Sequence, residues 1–513
     1  MQMRIAKNGS QLKGMVTGMK VKVRRKWVIP VALVLILAVI ASAAWFLFFN
    51  KTAKHGDYST LSWTEAFDKM YKQLSREYAF TDWKQIDWYS LYDEYAPQIQ
   101  RAQKDKDLDA YYIALRGFLT EIPDGHVSLN NLKEVDDLYI GGGFGLTVAK
   151  LGDGSVIAAW VDESGSAYAS GIRTGAVLTQ WNNEPIGDAL KQVSTIFGGA
   201  SATTENLELK QTQYLTRAPI GTESGVTFIN SGASPRTVTL TAYDDGLLSL
   251  KKSYPGAVLS DKIRSLYLGV DDPAPVPDSM VETKLLENNI FYIKIWGELD
   301  ADLKETGTAP STLALFRQAI DEANRQNAAA VILDVRNNLG GLDDMTAAIL
   351  GSFYSQKTLY EYQNVYNEST GKREIQSVNS EDALHIKPTQ QHFDGEIVCL
   401  INQKCVSSGE GLAMGIKNLP NGETLGFYGT NGSFGLAGAE IEMPGGLTVH
   451  FPSGQSLDKD HNIQLDSTGG VGGVSPSIRI EMTAENAIKA ANGEDVELEA
   501  AVNYLSTEAF GSK

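Results

Sequence analysis

Ala329-Ala-Val-Ile-Leu-Asp-Val-Arg-Asn-Asn-Leu-Gly-Gly341 is the stretch whose reading decides the fold. Val331, Ile332, Leu333 and Val335 are β-branched or aliphatic and predict a buried strand. An Asp and an Arg close it, and a polar turn ends in two glycines. Without a Cβ in the way, paired glycines let backbone N–H groups approach a ligand closely. Fixed donors aimed at one point are what an oxyanion hole requires. Taken alone, the same pattern also describes an ordinary tight turn.

Downstream, Asn402-Gln-Lys-Cys-Val-Ser-Ser-Gly-Glu-Gly-Leu-Ala-Met414 is a second strand-turn-helix, with serines at the turn. Together the two segments resemble the serine peptidase family of carboxyl-terminal processing (tail-specific) proteases and the tricorn core. The hallmarks of that family are a D-x-R-x-N-x-G-G turn and an S-x-x-E turn. The resemblance runs over roughly residues 60 to 505. It implies a multidomain α/β chain: a helical amino-terminal domain (58–135), a PDZ-like domain (139–245) and a crotonase/ClpP-like catalytic core (285–505).

The first fifty residues stand apart. They hold eight basic residues and no Asp or Glu, and Val28 to Phe49 is apolar except for Pro30 and Ser42. As a helix, twenty-two residues at ~1.5 Å each would span a bilayer core. Ala41-Ser-Ala43 resembles a cleavage site, so a signal peptide competes with an anchor. The apolar run continues through Trp45 to Phe49, which favours an uncleaved transmembrane helix (28–49) behind a cytoplasmic basic segment (1–27), with the rest outside. Beyond residue 50 there are 37 basic against 62 acidic residues, a balance of −25. A surface of that sign excludes nucleic acid as the expected partner. Cys399 and Cys405 read as small packed side chains, and the six histidines show no zinc spacing. No cofactor is expected.

Helical periodicity marks Trp63, Phe67, Met70 and Tyr71, and again Tyr111, Leu115 and Leu119. Strands are expected at Val156–Val161, Val177–Trp181, Gly225–Ile229 and Thr237–Thr241. In a PDZ-like domain the loop Gly142, Gly143, Phe144, Gly145 and Leu146 would bind a substrate carboxylate through backbone donors. The Pro-rich stretch Asp271–Pro277 reads as a linker, Ile290–Trp296 as the first core strand, and 355–394 as a weakly patterned excursion.

The resemblance makes Ser407 the nucleophile and Glu410 the end of its turn, with Ser408 as the fallback. Serine followed three residues later by Glu is also an ordinary capping box. The amides of Gly340 and Ser408 would form the oxyanion pair, and Asp334 and Arg336 would hold the turn. One branch of the family takes a lysine as base, but none occurs from Asn418 to Asp458. The tricorn-like branch takes a histidine, matched by His126 in Asp124-Gly-His-Val-Ser-Leu129. That branch also places a serine and a Glu where this chain has Gly125 and Gly470, leaving Asp466 or Asp124 to orient the imidazole. The expected function is a membrane-anchored, extracytoplasmic serine endopeptidase acting on protein or peptide substrates with free carboxyl termini. Homo-oligomers are compatible with it. The rival is a non-catalytic peptide-binding or scaffolding protein built on the same fold.

Overall fold

A computed structural model describes residues 54–253, 277–304 and 306–511. The basic segment, the apolar run Val28–Phe49 and all of the Pro-rich linker but Pro277 lie outside the described residues. No helix among the described residues is long and apolar enough to cross a membrane.

Three helices lead: α1 (Trp63–Glu77), α2 (Trp88–Asp105) and α3 (Leu108–Thr120). Side-chain caps from Ser62, Asp87 and Asp107 start them, each satisfying one otherwise orphaned amide. Their buried faces include Phe67, Met70, Leu74, Tyr111, Leu115 and Phe118. That core is completed by Ile441, Met443, Val449 and Phe451 of a distant hairpin, so the helices are not packed on themselves alone.

Next comes an antiparallel sheet of β1 (Leu146–Lys150), β2 (Val156–Val161), β3 (Val177–Trp181), β4 (Glu223–Ile229) and β5 (Arg236–Thr241). Its order is β5-β4-β3-β2-β1, which leaves β1 at the edge. Helices α4 (Thr204–Tyr214) and α5 (Leu248–Ser253) pack against β1. Gly142 and Gly143 do not lie in an open loop. They form a short strand paired on one side with Arg217–Ala218 and on the other with Tyr243–Asp244. Phe144 is buried against Trp181, at 5.3 Å between ring centroids.

The core sheet contains β6 (Val281–Leu285), β7 (Ile290–Ile295), β8 (Ala330–Asp334), β10 (Glu396–Leu400), β11 (Gly422–Gly426) and β14 (Ile478–Arg479) in that spatial order. All pairs except β6–β7 are parallel. Asp334 pairs with Leu400, so the turns leaving β8 and β10 emerge side by side at the carboxyl edge. In open parallel sheets that edge is where sites form. Helices α6 (Thr312–Arg325), α7 (Asp343–Leu350) and α8 (Ser408–Lys417) cover one face through Phe316, Ile320, Leu350, Leu412 and Ile416. On the other face lies α10 (Val496–Gly511), following α9 (Ala484–Asn492).

The segment expected to be an excursion contributes strands to a second sheet. Strand β9 (Thr358–Asn367) pairs with β13 (Leu447–Leu457), itself joined to β12 (Gly435–Met443). The sequence hides β9 because one of its inward residues is Glu361, fully buried and accepting from Ser456 Oγ (2.5 Å) and Gln363 Nε2 (2.7 Å). Cys399 and Cys405 are buried free thiols.

Arg336 ties the turn leaving β8 to the chain's end. It reaches Asp334 (2.7 Å), Asp495 (2.6 Å) and Glu497 (2.9 Å), while Lys294 pairs with Asp334 and donates to the Arg336 carbonyl. Burial alone would raise the Asp334 carboxyl. Arg336 and Lys294 outweigh it and hold the group well below its usual range. Removing one partner of a buried network leaves the other uncompensated. Arg336→Ala is therefore expected to cost about 3 kcal/mol in urea unfolding. A loss below about 1 kcal/mol would show that the network does not hold α10 to the sheet.

Candidate active site

Two turns meet at the carboxyl edge. The Val406 amide donates to the Asn338 carbonyl (3.0 Å), and a Cβ built on Gly340 would stand 2.5 Å from Ser407 Cβ and 3.0 Å from the Ser408 nitrogen. Gly340 has φ +83°, so only glycine fits both the conformation and the space.

Ser407 is partly exposed and takes φ +59°, ψ −134°, a strained state for a non-glycine residue. Its side chain caps nothing. Nor does Glu410 reach back to it, as a capping box would require. The Glu410 carboxylate instead accepts from Thr430 Oγ1 (2.5 Å) and from the amides of Gly432 (2.7 Å) and Ser433 (2.9 Å). The ordinary helix-start reading of Ser407 is therefore set aside by the geometry. Ser408 is not a second candidate nucleophile. It is fully buried, with its hydroxyl 2.8 Å from Asp343 Oδ1 and 3.1 Å from the Gly341 carbonyl.

The oxyanion assignment needs correcting. The Gly340 amide is spent on Asn338 Oδ1 at 2.7 Å. Its carbonyl accepts from the Glu298 amide (3.0 Å), so across the trans peptide the Gly341 N–H points the opposite way. The available donors of the glycine turn and the helix start are thus the Gly341 and Ser408 amides. Sequence identifies the glycines but carries no sign of which peptide plane faces outward.

His126 lies in the turn after α3, just before Ser128–Leu129 pairs with β13. Ser433 ties this turn to the serine turn. Its Oγ accepts the Gly125 amide (2.7 Å) and its carbonyl accepts the Ser407 amide (3.0 Å). Gly125 has no room for a side chain: a Cβ would be 2.4 Å from Asn431 Oδ1 and 3.2 Å from Ser433 Oγ. Ser433 Oγ lies against the Gly125 backbone and donates to Asn431 Oδ1 (2.8 Å), a link between the turns that sequence reading missed. Its only signal was the glycine-rich run Gly426–Gly435. Gly470, at φ +78°, abuts Thr204.

Asp124 is the carboxylate beside the imidazole. Fully buried, its Oδ1 accepts the His126 amide (2.9 Å) and stands 3.5 Å from Nδ1, an ion-pair distance without hydrogen-bond alignment. Its Oδ2 accepts from Tyr78 (2.8 Å). Asp466 receives the Phe434 amide (2.7 Å) and pairs with Lys84 (2.7 Å), contributing charge from behind. Burial pulls the His126 imidazole down. Asp124, with Asp466 and Glu410 adding at longer range, outweighs it and holds the group above its ordinary value. Burial drives the Glu410 carboxyl up to about 7 despite its three donors.

A cavity of about 1070 Å³ opens between β1, α4 and the core turns, lined among others by Thr147, Glu208, Trp296, Arg336 and Gln403. It reaches the two turns at Asp334, Arg336, Asn337, Asn402 and Gln403; Ser407 and His126 do not line it.

Comparison with known proteins agrees with this architecture. Residues 290–480 match Peptidase family S41, and residues 59–110 match the Tricorn protease C1 domain. No curated protein is significantly similar to the chain in sequence. Among solved structures it is similar in fold to mature CPAF complexed with lactacystin, at 14% identity and TM-score 0.62, covering 88% of this chain and 99% of that one. The crystal structure of mature CPAF gives 13%, 0.60, 87% and 96%, and that of the CPAF s499a mutant 14%, 0.58, 87% and 96%.

The His126 imidazole should titrate above the reference value of about 6.5 when followed by NMR. Asp124→Asn removes the nearest negative charge and should lower that pKa. An unmoved titration would show that Asp124 does not set the proton affinity of His126.

Proposed function

We propose that this chain, whose core is a serine-type peptidase domain of family S41, is an endopeptidase that cleaves through an acyl-enzyme at Ser407. A serine hydroxyl attacks a carbonyl only when a base takes its proton and donors receive the charge on the oxygen. His126 is the base, with Asp124 favouring its charged form after proton transfer. The amides of Ser408 and Gly341 receive the oxyanion, helped by the positive end of α8. The observation that carries this reading is Ser433. It binds the backbone of both the histidine and the serine turn, whose sequence positions give no reason to meet.

Substrate capture belongs to the PDZ-like region in this reading. With Gly142 and Gly143 spent on pairing, the capturing element is the free edge of β1, leading out of Phe144 and Gly145 and flanked by α4. A peptide added there as an extra strand would lie along the wall of the cavity. The apolar run Val28–Phe49 is the anchor, placing the peptidase outside the cytoplasmic membrane.

A fluorophosphonate probe on the purified external part should label Ser407, and Ser407→Ala should abolish both labelling and cleavage. His126→Ala should slow cleavage by about a hundredfold. Peptides with a free carboxyl terminus should be cleaved in preference to their amides. Labelling elsewhere overturns the nucleophile, and equal cleavage of acid and amide overturns the capture mode. A chain neither labelled nor active, yet binding peptides, would be a peptide-binding protein.

The anchor makes a separate prediction. Protease added to intact cells should digest the chain beyond Lys51, and complete protection would place the domain on the other side of the membrane.

A further inference from the structure

Glu298 lies behind the glycine turn, is fully buried, and plays no part in the chemistry above. Its backbone runs beside the turn: its amide donates to the Gly340 carbonyl (3.0 Å) and its carbonyl accepts the Leu342 amide (2.8 Å). Its side chain grips the same turn a second time. Oε1 accepts from Asn338 Nδ2 (2.8 Å), and Asn338 Oδ1 accepts the Gly340 amide (2.7 Å). Asn338 also gives its carbonyl to the Val406 amide, on the approach to Ser407. A carboxyl in a place where its Oε2 finds no partner is costly to bury, and an aliphatic side chain would cost less there.

We infer that Glu298 is a positioning residue: through Asn338 it holds the Gly340 amide inward, and so keeps the Gly341 amide aimed at the oxyanion site. This rests on the peptidase reading of Ser407. The physical reasoning concerns the peptide plane between two glycines. Gly340 and Gly341 lack the Cβ that would restrict ψ and φ on either side of that plane, so nothing intrinsic to the chain prevents it from turning. Two bonds fix the φ and ψ of Gly340 and so the plane: the Gly340 carbonyl, which lies in it, to the Glu298 amide, and the Gly340 amide, which lies in the plane before it, to Asn338. Only the second depends on a side chain that can rotate. Asn338 Nδ2 is fixed by Glu298 Oε1 and by the Ile295 carbonyl (3.2 Å). Without Glu298 the carboxamide keeps one weaker acceptor, and its Oδ1 is no longer constrained to face Gly340. Burial, opposed by the Asn338 bond and reinforced by Asp343, drives the Glu298 carboxyl up to about 7. Either protonation state leaves an oxygen able to accept from Asn338, so a glutamine should serve in its place.

The test compares Glu298→Leu and Glu298→Gln with the parent by three measurements. These are the second-order rate of fluorophosphonate labelling, the kcat and KM of peptide cleavage, and hydrogen exchange of the Gly340 amide. Glu298→Leu should label at least tenfold more slowly and lose kcat by a similar factor with KM unchanged. The Gly340 amide should exchange at least tenfold faster. Glu298→Gln should recover most of all three. A folded Glu298→Leu with the parent's labelling rate overturns the inference, as does a Glu298→Gln that falls as far as the leucine variant. Should Glu298→Leu fail to fold, Asn338→Ala takes its place, and undiminished labelling there also overturns it. A parent that is never labelled defeats the peptidase reading and with it any catalytic role for Glu298. Gly340 exchange still separates the two failures, since unchanged exchange in the variants shows that Glu298 does not hold the turn at all.

Discussion

The buried carboxylate of Glu410 is the interaction on which the site's assembly depends. Three donors from the segment 430–433 converge on it, so that segment is bent around the first turn of α8. Ser433 is thereby held with its amide on Glu410, its carbonyl on Ser407 and its hydroxyl under Gly125. One residue thus touches the serine turn, the helix that follows it and the histidine turn. The cost is a carboxyl in a dry site, visible as its raised proton affinity. Its return is geometric: two turns from opposite ends of the chain are fixed by backbone bonds, which tolerate little displacement.

The parallel sheet supplies the second constraint. Asp334 and Leu400 are register partners, so the chain leaves β8 and β10 at neighbouring points. The two exits have different tasks and different supports. The β8 exit must stay thin enough to lie against Ser407, which explains glycine at 340, and it is stiffened from outside by Asp334, Arg336 and the acids at the start of α10. The β10 exit must carry a strained serine. It is held by bonds to Asn338 on one side and to Ser433 on the other.

Much of this was legible in the sequence where the physics is local. Strands β2 and β3 begin and end where they were expected, and β8 follows its β-branched run. Ser407 and Gly340 were visible because a turn with a fixed residue pattern leaves a local signature. What was hidden is non-local. Ser433 reads as one serine in a glycine-rich loop, since its importance lies in meeting Gly125, 308 positions away. Strand β9 was obscured by Glu361, a charged residue made tolerable only by partners on β13 and on its own strand. Asp124 was one of two guesses, and the choice between it and Asp466 required knowing that Lys84 neutralises the latter. The Gly340 amide was misassigned because a glycine pair specifies freedom, while the orientation adopted is decided by Glu298 and Asn338.

That last point bears on how such a turn can be both adaptable and accurate. Close approach demands glycines, and glycines remove the steric walls that would otherwise fix the backbone. Accuracy must then come from hydrogen bonds, and in a site partly open to water only buried ones resist exchange with solvent. This accounts for polar groups crowding behind the turn where an apolar core would be cheaper. Asn338, Glu298, Ser408 and Asp343 are all bonded, directly or through one neighbour, to residues 340–342. Seen this way, the buried acids behind the site are the consequence of placing two glycines in front of it.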